Sequence, residues 1–244
     1  MRRIGVSKFS PYYAHKFYPK KGKVNYYRLA YNHWLWFKLN SSTQNILENN
    51  SLVSFRAIYT NQSEFEFRVF RSSEYFPNDF DPTGINSEAP LIGGNTYHSN
   101  IFEVSYSSNR AKDFYFIVAQ NYGKFYDGKK YSFENSFFFR IQPKLLASIK
   151  LNYDDIKLNH LKKTAKLWLL GPKFDFSFTK KLYWATLVQF NSQSENLGVN
   201  SRLQWRFNGL SNLFLVYNDN YLVRETSPLS PRMRSLNLKI TYWF

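Results

Sequence analysis

Along most of this chain, apolar and polar side chains alternate with a period of two. Residues 63–69 (SEFEFRV) put Phe65, Phe67 and Val69 on one parity and Glu64, Glu66 and Arg68 on the other. In 144–153 (KLLASIKLNY), Leu145, Ala147, Ile149, Leu151 and Tyr153 alternate with Lys144, Ser148, Lys150 and Asn152. Residues 196–207 set Leu197, Val199, Leu203, Trp205 and Phe207 against Asn200, Arg202, Gln204 and Arg206. The last stretch, MRSLNLKITYWF (233–244), places Leu236, Leu238, Ile240, Tyr242 and Phe244 between Asn237, Lys239 and Thr241. Successive strand residues point to opposite faces, so the pattern predicts β-strands with one apolar and one polar face. Helical periodicity is scarce, and the expected class is all-β.

The alternation and its turn residues predict strands near 5–19, 24–38, 46–60, 63–76, 94–108, 113–124, 129–141, 144–155, 160–176, 181–191, 196–207, 211–222 and 233–244. Many exceed the common strand length of about 5–6 residues and reach the roughly 9–11 that a tilted membrane crossing needs. One set of connections is short: 19–22, 60–63, 109–112, 142–144, 179–181 and 208–211. The alternate set (39–45, 77–93, 125–128, 156–159, 192–195 and 223–232) is mostly longer. Outer-membrane barrels have short periplasmic turns and longer outside loops. The expected fold is therefore an antiparallel transmembrane up-and-down β-barrel of about 12–14 strands, a single domain over 1–244 with no separate soluble domain. Thirteen segments is an odd number, whereas single-chain bacterial barrels have an even one. Either one segment is misplaced or the barrel is N-terminally truncated. With the last strand ending in the periplasm, loop 77–93, carrying Asp79 and Asp81, and loop 223–232 face outward. Tyr242 and Phe244 are then the aromatic C-terminal signal that barrel-assembly machinery reads.

Composition sharpens this in two respects. Of the 244 residues, 20% are aromatic, which brings far too much apolar area for a disordered chain. Lys and Arg outnumber Asp and Glu by 33 to 17, a balance that points to an anionic partner. Basic residues at Lys150, Lys162, Lys166, Arg202, Arg206 and Lys239 alternate with apolar ones, and on a barrel that parity makes a cationic lumen. Glu64, Glu66 and Arg68 form a charged stretch of the same wall. Tyr26, Tyr27, Trp34, Trp36, Tyr183, Trp184, Tyr242 and Trp243 lie near strand ends and fit aromatic girdles. Cysteine is absent, no apolar run is long enough for a membrane helix, and no signal-type h-region follows the N-terminus.

Candidate chemistry is sparse. His15, His33, His98 and His160 have no zinc-type spacing. His98 and Ser99 are adjacent on a strand and point apart, which argues against a nucleophile–base pair. Asn78, Asp79 and Asp81 carry oxygens suited to calcium but lack an EF-hand spacing, and Asp127-Gly128 is a turn dipeptide. Glu64 and Glu66 could serve as an acid–base pair, but a charged wall compensated by Arg68 is the simpler reading. No catalytic residue, metal or cofactor is assigned, and no RNA-recognition tract accompanies the basic residues, so no nucleic acid is expected.

The tract FTKKLYWATLVQFNSQSENLGVNSRLQWRFNGLSNLFLVYNDNY (178–221) resembles the C-terminal region of DUF5916 proteins of Bacteroidetes, as do SYSSNR (105–110), GKFYDGKK (123–130) and FDP (80–82). The resemblance covers about the C-terminal two thirds of the chain and includes the aromatic-ended final strand. It implies an outer-membrane β-barrel region that in such proteins follows a family 9 carbohydrate-binding module, which this sequence lacks. The combined expectation is an outer-membrane scaffold or passage with a cationic lumen, linked to glycan binding or uptake and not an enzyme. Its partners would be outer-membrane lipid and lipopolysaccharide, the assembly machinery and a glycan ligand. The rivals are a soluble all-β module binding glycan or nucleic acid, and a barrel hydrolase.

Overall fold

The structure is a computed structural model, and it describes residues 5–39, 46–84, 90–160, 164–224 and 227–243. Fourteen strands follow in order: β1 (Ser7–Phe9), β2 (Tyr12–Phe17), β3 (Val24–Phe37), β4 (Ile46–Tyr59), β5 (Glu64–Phe76), β6 (Asn95–Ser107) and β7 (Phe114–Phe125). Then come β8 (Gly128–Ile141), β9 (Leu145–Lys157), β10 (Ala165–Ser177), β11 (Leu182–Asn191), β12 (Asn196–Arg206), β13 (Asn212–Arg224) and β14 (Ser227–Thr241). From β3 on, each strand neighbours the next in a single up-and-down sheet, and the described residues contain no helix. Among the described residues no ladder joins β14 back to the start of the sheet.

Two segments differ from the sequence expectation. The predicted 5–19 strand is broken into β1 and β2, both paired with β3, so fourteen strands fill thirteen ladder positions. Pro11 lies at the break, where it has no N–H to give a ladder. Its carbonyl still accepts from His33 N at 3.1 Å. Within the predicted outer loop 223–232, the described residues are instead strand: β13 runs to Arg224 and β14 starts at Ser227. Register shifts at Asn220/Tyr221 and Leu222/Arg224 let the ladder continue past the prolines, with Pro231 opposite Tyr221. Phe244, one half of the expected C-terminal signal, and Lys162 lie outside the described residues.

The contacts separate into two compact units. Unit 1 comprises 1–109, 118–133 and 154–166; unit 2 comprises 110–117, 134–153 and 167–244. Within unit 1 two glycines permit close backbone approach. A Cβ on Gly123 would lie 2.0 Å from the Asn100 carbonyl oxygen, and one on Gly128 2.0 Å from that of Lys157.

Residues opposite each other in an antiparallel ladder share a face. In unit 1 one face therefore carries the rows Leu29–Phe55–Phe67–Val104 and Tyr31–Val53–Val69–Phe102. In unit 2 the equivalent rows are Trp205–Leu213–Ile240, Trp184–Leu203–Leu215–Leu238 and Phe190–Leu197–Tyr221. The buried hydrophobic residues among those described are Ala30, Ala57, Leu91, Ile156, Leu158 and Ala165. In contrast, Leu236, Leu238 and Ile240 are 66%, 62% and 59% exposed, and Phe102 and Val104 about as open as Leu29. A water-soluble sheet buries its apolar face; each of these units leaves it uncovered.

Candidate functional site

The opposite, polar face holds the predicted charges. In unit 1, Glu64, Glu66 and Arg68 share it, as their parity requires. The compensating cation for the two acids is Arg56 of β4, which sequence reasoning missed: its Nε is 3.0 Å from Glu64 and its Nη2 donates to Glu66 at 3.0 Å. Arg68 pairs instead with Glu103 of β6. Arg28, directly opposite Arg56, donates to the Tyr12 hydroxyl. The unit 1 wall is thus a closely matched set of guanidinium and carboxylate groups, and both carboxylates of the imagined acid–base pair are held by one arginine.

Unit 2 is different. Its polar face carries Lys173, Arg202, Arg206 and Lys239, with Lys150 lining a groove beside Lys173, Gly171 and Gln189. Asp175 answers only Lys173, at 2.7 Å. The side chains of Lys150, Arg202, Arg206 and Lys239 have no ion-pair or hydrogen-bond partner among the described residues. Arg202, Arg206, Tyr183 and Gln204 line a cavity of about 280 Å³. Further along the same face Gln189, Asn191, Asn196, Asn200, Asn218 and Asn220 surround a cavity of about 300 Å³. Lys166 departs from the expectation: it shares parity with Leu170 and so with the apolar face of β10.

The remaining candidates fall into structural roles. Asp79 Oδ1 accepts from Gly93 N at 2.7 Å, and Asp81 Oδ1 accepts from the Thr83 amide and hydroxyl at 2.8 and 2.6 Å. Together with the Phe80–Leu91 bridge these bonds tie residues 79–83 to 91–93 and close the base of the 77–93 connection. No cluster of three or more His, Cys, Asp or Glu suited to a metal occurs among the described residues. His98 is exposed on the apolar parity, whereas buried Ser99 accepts from Tyr126 N at 3.1 Å, so the two do point apart. Of the expected girdle residues, Tyr27, Trp184 and Tyr242 lie on the apolar parity, but Tyr26, Trp34, Trp36 and Tyr183 lie on the polar one. Alternation decides this: neighbours such as Tyr26 and Tyr27 cannot both face one way.

Two clusters had no local signal. At the turn joining β7 to β8, Tyr126 has φ 52° and packs against Phe76, Phe80 and Tyr97. Burial, then the Glu74 carboxylate, pushes its hydroxyl up to about 12. The next residue, Asp127, lies 2.6 Å from His160 Nδ1 and also accepts from His160 N. In unit 2, Asp219 lies on the apolar face yet is 1% exposed. Its Oδ2 accepts from the Tyr217 and Tyr221 hydroxyls at 2.5 and 2.7 Å and from Arg234 Nε at 2.9 Å. Asp219 Oδ1 is buried without a partner among the described residues, while beside it Ser201 bonds Thr186 and Trp184.

No protein-family model and no curated protein matches the chain.

Proposed function

We propose that this chain is a β-barrel of the bacterial outer membrane, of the DUF5916 kind, that provides a passage for anionic solutes. The observation that carries the reading is the exposed apolar face set against a polar face rich in unpaired cations. Five apolar-parity rows in unit 2, from Leu182–Trp205 to Phe190–Leu197, extend about 27 Å along the strands at about 6.8 Å per row. At a strand tilt of about 40° these rows project to a height of about 21 Å, somewhat less than the apolar band of about 25 Å of an outer-membrane barrel. On the apolar face the Asp219 carboxylate is compensated by Arg234 and by the Tyr217 and Tyr221 hydroxyls, the pairing that an ionised group facing hydrocarbon needs. Turned inward by closure, Lys150, Arg202, Arg206 and Lys239 become the lumen cations, and Glu64, Glu66 and Arg68 part of a neutralised stretch of wall.

Thirteen ladder positions make the first and last strands run in the same direction. Closure then takes either a parallel first–last ladder or one further strand running the other way. A second reading, a glycan-contacting passage, draws on the amide-lined cavity of unit 2, because paired amide donors and acceptors match sugar hydroxyls. No catalytic step is assigned.

The test is fractionation followed by conductance. The protein should require detergent for extraction, show heat-modifiable gel mobility and conduct with anion preference in planar bilayers. Arg202→Glu with Arg206→Glu should weaken or reverse that preference. Recovery as a soluble monomer without detergent would overturn the membrane assignment, and cation preference in the unaltered protein would overturn the passage.

A further inference from the structure

We propose that the apolar-parity face of β4–β6 carries, at its loop end, a binding site for the phosphorylated headgroup of an outer-leaflet glycolipid. This rests on the membrane reading above and names a partner for it.

The face changes character abruptly along the strands. The rows Leu29–Phe55–Phe67–Val104 and Tyr31–Val53–Val69–Phe102 are apolar, and Val53 and Phe102 are 43% and 45% exposed. The next two rows on the same face are His33–Ser51–Arg71–Asn100 and Leu35–Asn49–Ser73–His98, polar throughout β4–β6. No residue step along a strand separates the two regimes by more than about 7 Å. An amphiphile whose chains lie on the first pair of rows must present its headgroup to the second.

The chemistry of the second pair selects an anion. Asn49, Ser51, Arg71, Ser73 and His98 line a cavity of about 370 Å³, within the range of ligand sites. The side chains of Asn49, Arg71, Ser73 and His98 have no partner among the described residues. Ser51 is oriented by His33, whose Nδ1 lies 3.0 Å from its hydroxyl. The lining thus offers a guanidinium, an imidazole, hydroxyls and an amide, with no carboxylate among them. The nearby acids Glu48 and Glu74 stand opposite one another on the other face of the sheet, where Glu74 accepts from the Ser72 hydroxyl at 2.6 Å. A guanidinium fork with ancillary hydroxyl donors is the arrangement that recognises a phosphate. Free phosphate would use the same donors, but it has no use for the exposed apolar rows directly below. The loop end, where the 77–93 connection emerges, is the outer end in the proposed orientation, which places the cavity at the level of outer-leaflet sugars and phosphates.

Native mass spectrometry of the detergent-solubilised protein tests this, with lipid A, dephosphorylated lipid A and inorganic phosphate as probes. The phosphorylated lipid should bind about tenfold or more tighter than the dephosphorylated one. Arg71→Ala with His98→Ala should abolish that preference, while Arg71→Lys keeps part of it. Should the double variant fold poorly, His98→Ala alone, at an exposed position, should still lessen it. Inorganic phosphate should compete only weakly. Equal binding of the two lipids, an undiminished preference in the variants, or full competition by inorganic phosphate would each overturn the proposal. Heat-modifiable mobility of the same samples separates the two readings: if it holds and the lipid preference is missing, only this inference fails. If it is absent as well, the membrane reading fails with it.

Discussion

Replacing Arg56 with methionine removes the cation shared by Glu64 and Glu66 while keeping much of its aliphatic length. The Glu66 side chain is 11% exposed and that of Glu64 31%, so the two bonds differ in weight although both are 3.0 Å long. Losing the bond to Glu66 costs about 1.5–3 kcal/mol as a charged hydrogen bond to a largely buried group. The bond to Glu64, partly screened by water, adds about 0.5–1 kcal/mol. The two carboxylates, two positions apart on one face and so about 6.5–7 Å apart, then repel by about 0.6–2.5 kcal/mol for an effective dielectric between 80 and 20. These contributions overlap, and the expected destabilisation is about 2–4 kcal/mol. Urea unfolding of Arg56→Met, Glu64→Gln, Glu66→Gln and the two double variants measures it. The coupling of Arg56 to Glu66 should exceed that to Glu64. A total loss below about 1 kcal/mol, or the opposite order of couplings, would refute the picture of one arginine holding a buried and a half-open carboxylate.

Gly128→Ala should cost about 3 kcal/mol or more, because its Cβ would meet the Lys157 carbonyl oxygen at 2.0 Å, whereas Gly209→Ala, with nothing within 4 Å, should be nearly silent in the same unfolding assay. The raised Tyr126 hydroxyl gives a pH signature. Unfolded, it ionises near its ordinary value of 10.0, and folded at about 12, so its contribution to stability is complete below about pH 10 and is lost as pH rises through 12. Phenolate difference absorbance should show the highest-pH step disappear in Tyr126→Phe, and an unchanged titration would refute the assignment. On β14, Leu238→Arg should impair folding into bilayers by about 2–4 kcal/mol, while Asn237→Arg on the other face should cost less than about 1 kcal/mol. Equal effects at the two positions would contradict the assignment of faces.

Strand placement was legible because period-two alternation and turn residues are local properties. The segments drawn at 24–38 and 196–207 emerge as Val24–Phe37 and Asn196–Arg206. The failures also have local causes. Pro11 splits a stretch that otherwise alternates, and 223–232, taken as one of the longer connections, pairs as strand through two register shifts. What pairs with what was far less legible. Glu64, Glu66 and Arg68 sit on the expected face, yet nothing in the spacing from 56 to 66 marks Arg56 as their partner until the β4–β5 register is known. Tyr126 and Asp127 likewise meet Tyr97 and His160 only through the alignment of separate hairpins. Alternation reports which face a residue takes, and register decides its company.

The unequal treatment of charge in the two units makes ionic strength act on them in opposite senses. Unit 1 matches Arg56 and Arg68 to Glu64, Glu66 and Glu103, so added salt weakens attraction there. Unit 2 gathers Lys150, Arg202, Arg206 and Lys239 with no acid answering them among the described residues, so the same salt relieves self-repulsion. With a screening length of about 10 Å at 0.1 M, dilute buffer is the condition in which the second unit is under greatest internal pressure and draws counter-ions most strongly. A binding anion would be doing, at one place and with selectivity, what bulk electrolyte does everywhere.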